Sequence, residues 1–168
     1  MNSKEHIKNI NDSHVFIVED NDMDSLMMDY LLSKDTTAHI KKFRSGEECI
    51  KHLDMNPDVV ILDYGLPGIN GMQTLKAIHE HDPGIPVIVI TGNMDKQIAQ
   101  RFLNAGVYDY IQKEDDAFEQ VSKVTDSILS IMSHKEAEKE HKQSIILATG
   151  VLIFATFMGI IAYIILKH

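Results

Sequence analysis

The sequence has no tryptophan and a single cysteine, Cys49, in 168 residues. One cysteine excludes an intrachain disulfide, which fits a protein in a reducing cytosol. We expect Cys49 to be a buried small hydrophobic residue on an amphipathic helix. The nine histidines are scattered without the spacing that metal ligands need, which argues against a histidine-based metal site.

The sequence also lacks an excess of basic residues. It has 16 Lys and Arg residues against 25 Asp and Glu residues, which gives a formal net charge of −9. An acidic chain without a basic stripe argues against nucleic acid as a direct partner. Residues 1–13 are polar and lack an apolar core, so we expect no signal peptide there.

Long apolar runs are absent except at Ile145–Leu166, which is uncharged and almost wholly apolar. As an α-helix rising ~1.5 Å per residue it would be about 33 Å long, enough to cross a lipid bilayer. It is apolar on every face and the domain before it is complete without it, which favours a transmembrane helix over a core helix. Three lysines precede it closely and one follows. This predicts a single-pass protein of the inner or plasma membrane with its domain in the cytoplasm.

Five short apolar segments alternate with helical patterns. The segments predicted to be strands are His14–Val18, His39–Phe43, Asp58–Asp63, Pro86–Thr91 and Val107–Gln112. Alternating β and α units predict an α/β fold with a doubly wound parallel sheet, helices on both faces and right-handed crossovers. Runs such as VVIL and VIVI are apolar throughout, as strands covered on both faces must be.

Apolar residues at three- or four-residue spacing predict the buried faces of five helices. In chain order they are Met23, Met27, Tyr30 and Leu31; Cys49, Ile50 and Leu53; Leu75 and Ile78; Ile98, Phe102 and Ala105; and Phe118, Val121, either Val124 or Thr125, and Ile128. Ser45 is expected to cap the second helix with Glu48 at the third helical position, and Gly106 to end the fourth.

Polar side chains stand where the predicted strands end, and ligands of parallel α/β sheets bind at that edge. These residues are Glu19 and Asp20 after the first strand, Asp63 and Thr91 closing the third and fourth, and Lys113 after the fifth. Clustered carboxylates repel one another unless a cation intervenes, and Mg²⁺ prefers oxygen ligands. Asp63 as a nucleophile would form an aspartyl phosphate, with Thr91 and Lys113 contacting phosphoryl oxygens.

Four segments resemble the receiver domain of two-component response regulators, over roughly residues 12–131. They are VFIVEDND with Glu19 and Asp20, ILDYGLPGINGM with Asp63, VIVITG with Thr91, and AGVYDYIQK with Tyr110 and Lys113. The resemblance implies a flavodoxin-like, five-stranded (βα)5 domain phosphorylated on Asp63 by a histidine kinase or a histidine phosphotransfer protein. It further implies Mg²⁺ bound by Asp20, Asp63, the backbone carbonyl of Gly65, and Glu19 through water.

The resemblance also implies a conformational readout of phosphorylation. Thr91 would move toward the phosphoryl group and Tyr110 would rotate inward, which would change the surface of the fourth helix, the fifth strand and the fifth helix. Gly92 would leave the site accessible. Gly65 and Asn93 lie where such domains tune dephosphorylation.

One position departs from the family pattern. Receivers usually have Pro after the conserved lysine, often with a cis bond, whereas Glu114 follows Lys113 here. A cis bond before a residue other than proline costs about 2.5–4 kcal/mol, so we expect this peptide to be trans. The Lys113 ammonium would then sit differently, and Glu114 adds a negative charge near it.

The predicted organisation is an N-terminal extension (1–12), a receiver domain (13–132), a charged linker (133–143), and a transmembrane helix with a short tail (144–168). The linker has no Gly or Pro and is rich in helix formers, so we expect a helical backbone with an i,i+4 pair between Glu138 and Lys142. Ala155 and Gly159 form a small-xxx-small pair, which makes a homodimer through this helix a hypothesis.

These patterns predict a membrane-tethered, single-domain response regulator that signals to a membrane-associated protein through a changed surface. We expect no enzymatic activity beyond its own phosphotransfer and dephosphorylation. The alternatives are a phosphorylation-independent membrane scaffold and a phosphate sink in a phosphorelay. A phosphatase of the haloacid-dehalogenase class would also use a nucleophilic Asp and Mg²⁺. That class requires a second acid two residues after the nucleophile, where this sequence has Gly65.

Overall fold

The structure, a computed structural model, describes residues 13–92 and 95–167, with side chains up to Tyr163. The chain divides between Ile131 and Met132 into two compact units, which are described one at a time. The predicted N-terminal extension over residues 1–12 and the predicted role of Asn93 lie outside the described residues.

Five parallel strands form one sheet in the order β2-β1-β3-β4-β5. The strands are β1 (His14–Val18), β2 (His39–Phe43), β3 (Val59–Asp63), β4 (Val87–Thr91) and β5 (Asp109–Gln112). This order confirms the flavodoxin-like, doubly wound sheet, whose topological switch point lies between β1 and β3. The bounds of β1 and β2 are as predicted, and the other three strands begin one or two residues later.

The interior strands β3 and β4 are covered on both faces. Every residue of β3 and β4 is buried, as their unbroken apolar runs predict. Each buried Val, Leu or Ile side chain stabilises the fold by about 1.5–3 kcal/mol. Cys49 is fully buried beside this core, and its burial raises the pKa of the thiol to about 12. The predicted interior position of Cys49 is therefore confirmed.

Helices connect the strands. They are α1 (Asp22–Asp35), α2 (Gly46–Ile50), α3 (Gly71–His81), α4 (Lys96–Asn104) and α5 (Ala117–Lys167), with a short 3₁₀ helix at Leu53–Met55. The Ser45 side chain accepts a hydrogen bond from the backbone N–H of Glu48 at 3.3 Å. Gly106 follows the end of α4 with a positive φ of 86°, a conformation that glycine adopts at little cost. Both predicted caps are confirmed.

The predicted inner faces of α2 to α5 are largely confirmed. Leu75, Ile78 and Phe102 are buried, while Ile98 is half-buried. Ala105 is exposed, so its predicted burial was wrong: it caps α4 where the chain turns away toward β5. On α5, Thr125 is fully buried and Val124 only half-buried, which decides between the two alternatives.

The predicted inner face of α1 was wrong. Met23, Met27 and Tyr30 are exposed and Leu31 is half-buried. The residues that α1 buries are Ser25, Met28 and Leu32. Apolar side chains lie on both faces of this helix, so more than one stripe at three- or four-residue spacing fits the sequence. The apolar face left outside is formed by Met23, Leu26, Met27 and Tyr30.

The second unit is described by residues 132–167, which are helical throughout. Glu138 and Lys142 form the predicted i,i+4 ion pair at 3.2 Å, and the backbone of the charged linker is helical as predicted. Among the described residues, α5 is the helix that is long and apolar enough to cross a membrane, and none of its most apolar stretch is buried. Length and composition alone support this assignment.

Candidate functional site

The carboxyl ends of the strands bring the predicted site residues to one edge of the sheet. Val18 of β1 pairs with Leu62 of β3, so Glu19 and Asp63 are the next residues along the chain from this pair. Thr91 ends β4, and its carbonyl oxygen accepts a hydrogen bond at 2.8 Å from the backbone N–H of Lys113, the first residue after β5. Residues up to 94 positions apart in sequence are therefore neighbours.

Three carboxylates form the centre of the site. Oxygen atoms of Glu19, Asp20 and Asp63 all lie within 4.8 Å of one another. Glu19 is 2% exposed and Asp63 is 6% exposed, whereas Asp20 faces solvent. Burial raises the pKa of both Glu19 and Asp63, although the Lys113 ammonium opposes the rise. Crowded, partly desolvated carboxylates with one open side fit a Mg²⁺ ion that keeps several of its waters.

The Lys113 ammonium lies within ion-pair distance of three carboxylates, those of Glu19, Asp24 and Asp63. It donates hydrogen bonds to Oε2 of Glu19 at 2.7 Å and to Oδ2 of Asp24 at 2.8 Å. It also lies 3.4 Å from Oδ1 of Asp63. Burial disfavours the charge of Lys113, but the hydrogen bonds to Asp24 and Glu19 and the charge of Asp63 outweigh it and raise its pKa.

The peptide bond after Lys113 is trans, as predicted, since the described residues contain no cis peptide. The lysine nevertheless reaches the acids, so the absence of the usual proline leaves its side chain within the site. Glu114 is exposed and makes no ion pair with Lys113.

Thr91 and Tyr110 are adjacent. Thr91 is buried at the end of β4, and Tyr110 is half-buried on β5. The Tyr110 ring lies 6.0 Å from the ring of Phe102, measured between centroids, and packs against the core. Burial raises the pKa of the Tyr110 hydroxyl, partly offset by a hydrogen bond to the Thr91 side chain. The hydroxyl of Thr91 is thus linked to an aromatic ring on the neighbouring strand.

Glycines shape the backbone around Asp63. The N–H of Gly65 donates to Oδ2 of Asp63 at 3.1 Å, which orients the carboxylate. A Cβ atom at Gly71 would lie 2.9 Å from the carbonyl oxygen of Asp63, so only glycine lets α3 start this close to the end of β3. A Cβ atom at Gly92 would meet nothing within 4 Å, which leaves the space beside Thr91 open.

The structure adds Asp24 to the residues predicted from sequence. Asp24 lies in the first turn of α1 and binds Lys113, which lies 89 residues later in the sequence. The signal in the sequence was the acidic run EDNDMD. The run does not tell which of its acids turns inward: Asp22, two residues earlier, pairs with the Arg44 guanidinium instead.

A doubly wound, five-stranded parallel sheet with carboxylates, a hydroxyl and a lysine at its carboxyl edge defines the receiver class of signalling domains. A family profile described as the response regulator receiver domain matches residues 15–125. The chain belongs to this family. Receiver domains are phosphorylated on an aspartate, interact with histidine kinases or phosphotransfer proteins, and bind Mg²⁺ at an acidic pocket.

The curated relatives are longer proteins, which the chain matches over part of their length. The chain is 32% identical over 103 residues to the DNA-binding transcriptional regulator NtrC of Klebsiella pneumoniae, covering 61% of this chain and 21% of that protein. It is 34% identical over 119 residues to a protein-glutamate methylesterase/protein-glutamine glutaminase of Clostridium acetobutylicum, covering 68% of this chain and 34% of that protein. The chain spans about a third or less of the length of these relatives.

Solved structures agree with the fold. A DNA-binding response regulator of the LuxR family from Staphylococcus aureus is 25% identical with a TM-score of 0.63, covering 70% of this chain and 98% of that one. A response regulator receiver domain protein from Methanospirillum hungatei has a TM-score of 0.64 at 21% identity, covering 74% of this chain and 98% of that one. The second likeness concerns the fold alone.

Proposed function

We propose that this protein is a membrane-tethered receiver that accepts a phosphoryl group on Asp63 from a histidine kinase or a histidine phosphotransfer protein. The observation that carries the proposal is the position of Asp63. Its carboxylate ends β3 beside two further acids, lies 3.4 Å from the Lys113 ammonium, and accepts a hydrogen bond from Gly65.

The transfer is a displacement at phosphorus. A carboxylate oxygen of Asp63 forms a bond to phosphorus while the bond from phosphorus to the imidazole nitrogen of the donor breaks, and that nitrogen keeps the electron pair and takes up a proton. Lys113 and the Thr91 hydroxyl bind oxygens of the arriving phosphoryl group, which offsets its negative charge. The Gly65 N–H keeps the nucleophile oriented toward the donor.

A magnesium ion suits the same site. Asp20, Asp63 and the backbone carbonyl of Gly65 would hold it directly, and Glu19 through water. When bound, the ion neutralises charge on the phosphoryl oxygens. Glu19 also holds Lys113 in place through the 2.7 Å hydrogen bond, so its buried carboxylate has two tasks in this proposal.

The readout would run through Thr91 and Tyr110. If the Thr91 hydroxyl turns to a phosphoryl oxygen, it gives up its hydrogen bond to Tyr110, and the half-buried ring is released to settle deeper against Phe102. The change alters the surface of α4, β5 and the first turns of α5, where a partner protein would bind. One new charge biases a two-state domain in this mechanism.

The apolar part of α5 supports the tether. It is long enough to cross a bilayer and unburied, and an anchor would restrict the receiver to partners at the membrane and raise their effective concentration. A phosphate sink in a phosphorelay would use the same site and differ in its partners. A phosphorylation-independent scaffold would keep the fold and the anchor without using Asp63.

The decisive test is phosphorylation of the full chain in detergent micelles, with Mg²⁺ and a small phosphoramidate donor, read as intact-protein mass. We expect one phosphoryl adduct on the wild type and on Asp54→Asn, which removes an exposed acid of the 3₁₀ helix. We expect none on Asp63→Asn. An adduct that survives Asp63→Asn contradicts the assigned nucleophile, and an unmodified wild type favours the scaffold. Hydrolysis of a phosphate ester with turnover would favour a phosphatase.

A further inference from the structure

The Lys113 ammonium makes its closest contacts with acids other than Asp63. An ammonium group has three N–H donors. The Lys113 Nζ atom lies 2.7 Å from Oε2 of Glu19 and 2.8 Å from Oδ2 of Asp24. Its distance to Oδ1 of Asp63 is longer, at 3.4 Å. The lysine expected to serve the phosphoryl group is therefore held more closely by two other acids.

Asp24 differs from Glu19 in its place in the fold. Glu19 follows β1 and belongs to the acid cluster, whereas Asp24 lies on α1, outside that cluster. The ion pair of Lys113 and Asp24 thus joins the end of β5 to the first turn of a helix on one face of the sheet. Both side chains are partly sheltered, at 21% and 27% exposure, which strengthens the attraction relative to a surface pair.

We propose that Asp24 is a positioning residue that restrains the Lys113 ammonium against α1 and thereby slows phosphoryl transfer to Asp63. This inference rests on the proposed function. As negative charge builds on the phosphoryl oxygens, Lys113 has to shift from Asp24 toward Asp63, and the carboxylate of Asp24 competes for it throughout. Asp24 also adds a fourth negative charge close to an incoming anion.

In this proposal the negative charge of Asp24, rather than the shape of its side chain, restrains the Lys113 ammonium. Asp24→Asn keeps the size and leaves an oxygen that accepts a hydrogen bond, but it removes the attraction. Asp24→Glu keeps the charge on a longer side chain. Asp22→Asn is the matched control, because it removes the same charge from the same turn of α1 but from the partner of Arg44 instead.

Two readouts on the full chain in detergent test the proposal. The first is the rate of phosphoryl transfer from phosphoramidate against donor concentration. We expect Asp24→Asn to raise the rate at saturating donor about fivefold, the factor equivalent to ~1 kcal/mol, with a smaller change in the half-saturating concentration. The transfer rate of Asp24→Glu should be close to that of the wild type, and so should the transfer rate of Asp22→Asn.

The second readout is labelling of Lys113 by an amine-reactive reagent, measured by peptide mass without a phosphodonor. We expect Asp24→Asn to speed labelling at least about twofold and Asp22→Asn to leave it unaltered. Equal labelling in the wild type and Asp24→Asn overturns the restraint, whatever the transfer rates. Faster labelling without faster transfer overturns the claimed effect on transfer. Faster labelling while neither protein accepts a phosphoryl group supports the restraint and contradicts the proposed function.

Discussion

The backbone N–H of Asn21 donates a hydrogen bond to Oε1 of Glu19 at 3.0 Å. The side chain of Asn21 also caps α1, where its Oδ1 atom accepts from the N–H groups of Met23 and Asp24 at 2.9 and 3.2 Å. One residue therefore begins the helix and orients a buried acid of the site. The same cap fixes the position of Asp24, which reaches Lys113 from the first turn.

The observed inner face of α1 predicts that replacing two neighbouring methionines with alanine lowers the free energy of unfolding by different amounts. Met28 is 1% exposed and Met27 is 45% exposed. We expect Met28→Ala to lower the free energy of unfolding by about 2–5 kcal/mol because it leaves a cavity in the core. Met27→Ala should change it by less than about 0.5 kcal/mol. Chemical unfolding followed by circular dichroism measures both changes. Equal losses of unfolding free energy would contradict the burial of Met28 and the exposure of Met27.

Metal binding should stabilise the folded receiver. At a Mg²⁺ concentration ten times the dissociation constant, we expect a gain of about 1.4 kcal/mol in the free energy of unfolding, reversed by a chelator. Asp20→Asn removes a proposed ligand and should reduce the gain. Asp22→Asn, a nearby exposed acid, should retain it. Thermal unfolding with and without Mg²⁺ measures this, and a gain that persists in Asp20→Asn would count against the proposed ligand set.

The buried carboxylate of Asp63 predicts a pH-dependent stability difference. Burial raises the pKa of Asp63 in the folded protein above its value in the unfolded chain. Below the unfolded pKa both states are protonated, and stability is lost as the pH rises through the folded pKa because the buried group ionises. Asp63→Asn avoids this loss, so its advantage over the wild type in a chelator should be near zero at low pH and grow toward neutral pH.

The measurement is a series of unfolding curves between acidic and neutral pH for the two proteins. Asp54→Asn, which removes an exposed acid, is the control. A difference between Asp63→Asn and the wild type that stays constant over the whole range would show that the carboxylate is not the cause.

The tether predicts a sharp effect of charge in the apolar stretch of α5. Phe154 and Phe157 lie within it. Lysine at the centre of a spanning helix costs about 2.5–3.5 kcal/mol, so Phe154→Lys combined with Phe157→Lys should release the protein from membranes during carbonate extraction. Gln143→Lys adds a charge before the stretch and should leave the protein bound. Retention of the double variant would contradict a spanning helix.

The sheet and the site edge were open to prediction from sequence because their signals are local. Unbroken apolar runs identified β3 and β4, and an acid, hydroxyl or amine at the ends of four of the five strands identified the edge. The inner face of α1 was not predictable in the same way, since apolar residues lie on both faces of that helix and packing in the folded domain decides which face is buried. Asp24 was missed because its partner, Lys113, lies 89 positions away and meets it only in the folded chain.

The interior place of Cys49 makes this protein convenient for reporter chemistry. The sequence holds no second thiol, and this one is fully buried with a raised pKa, so it reacts slowly while the domain stays folded. A cysteine introduced anywhere on the surface would be the one position that a fluorophore or spin label modifies readily. Movements of α4 or α5 can therefore be followed in the otherwise native sequence.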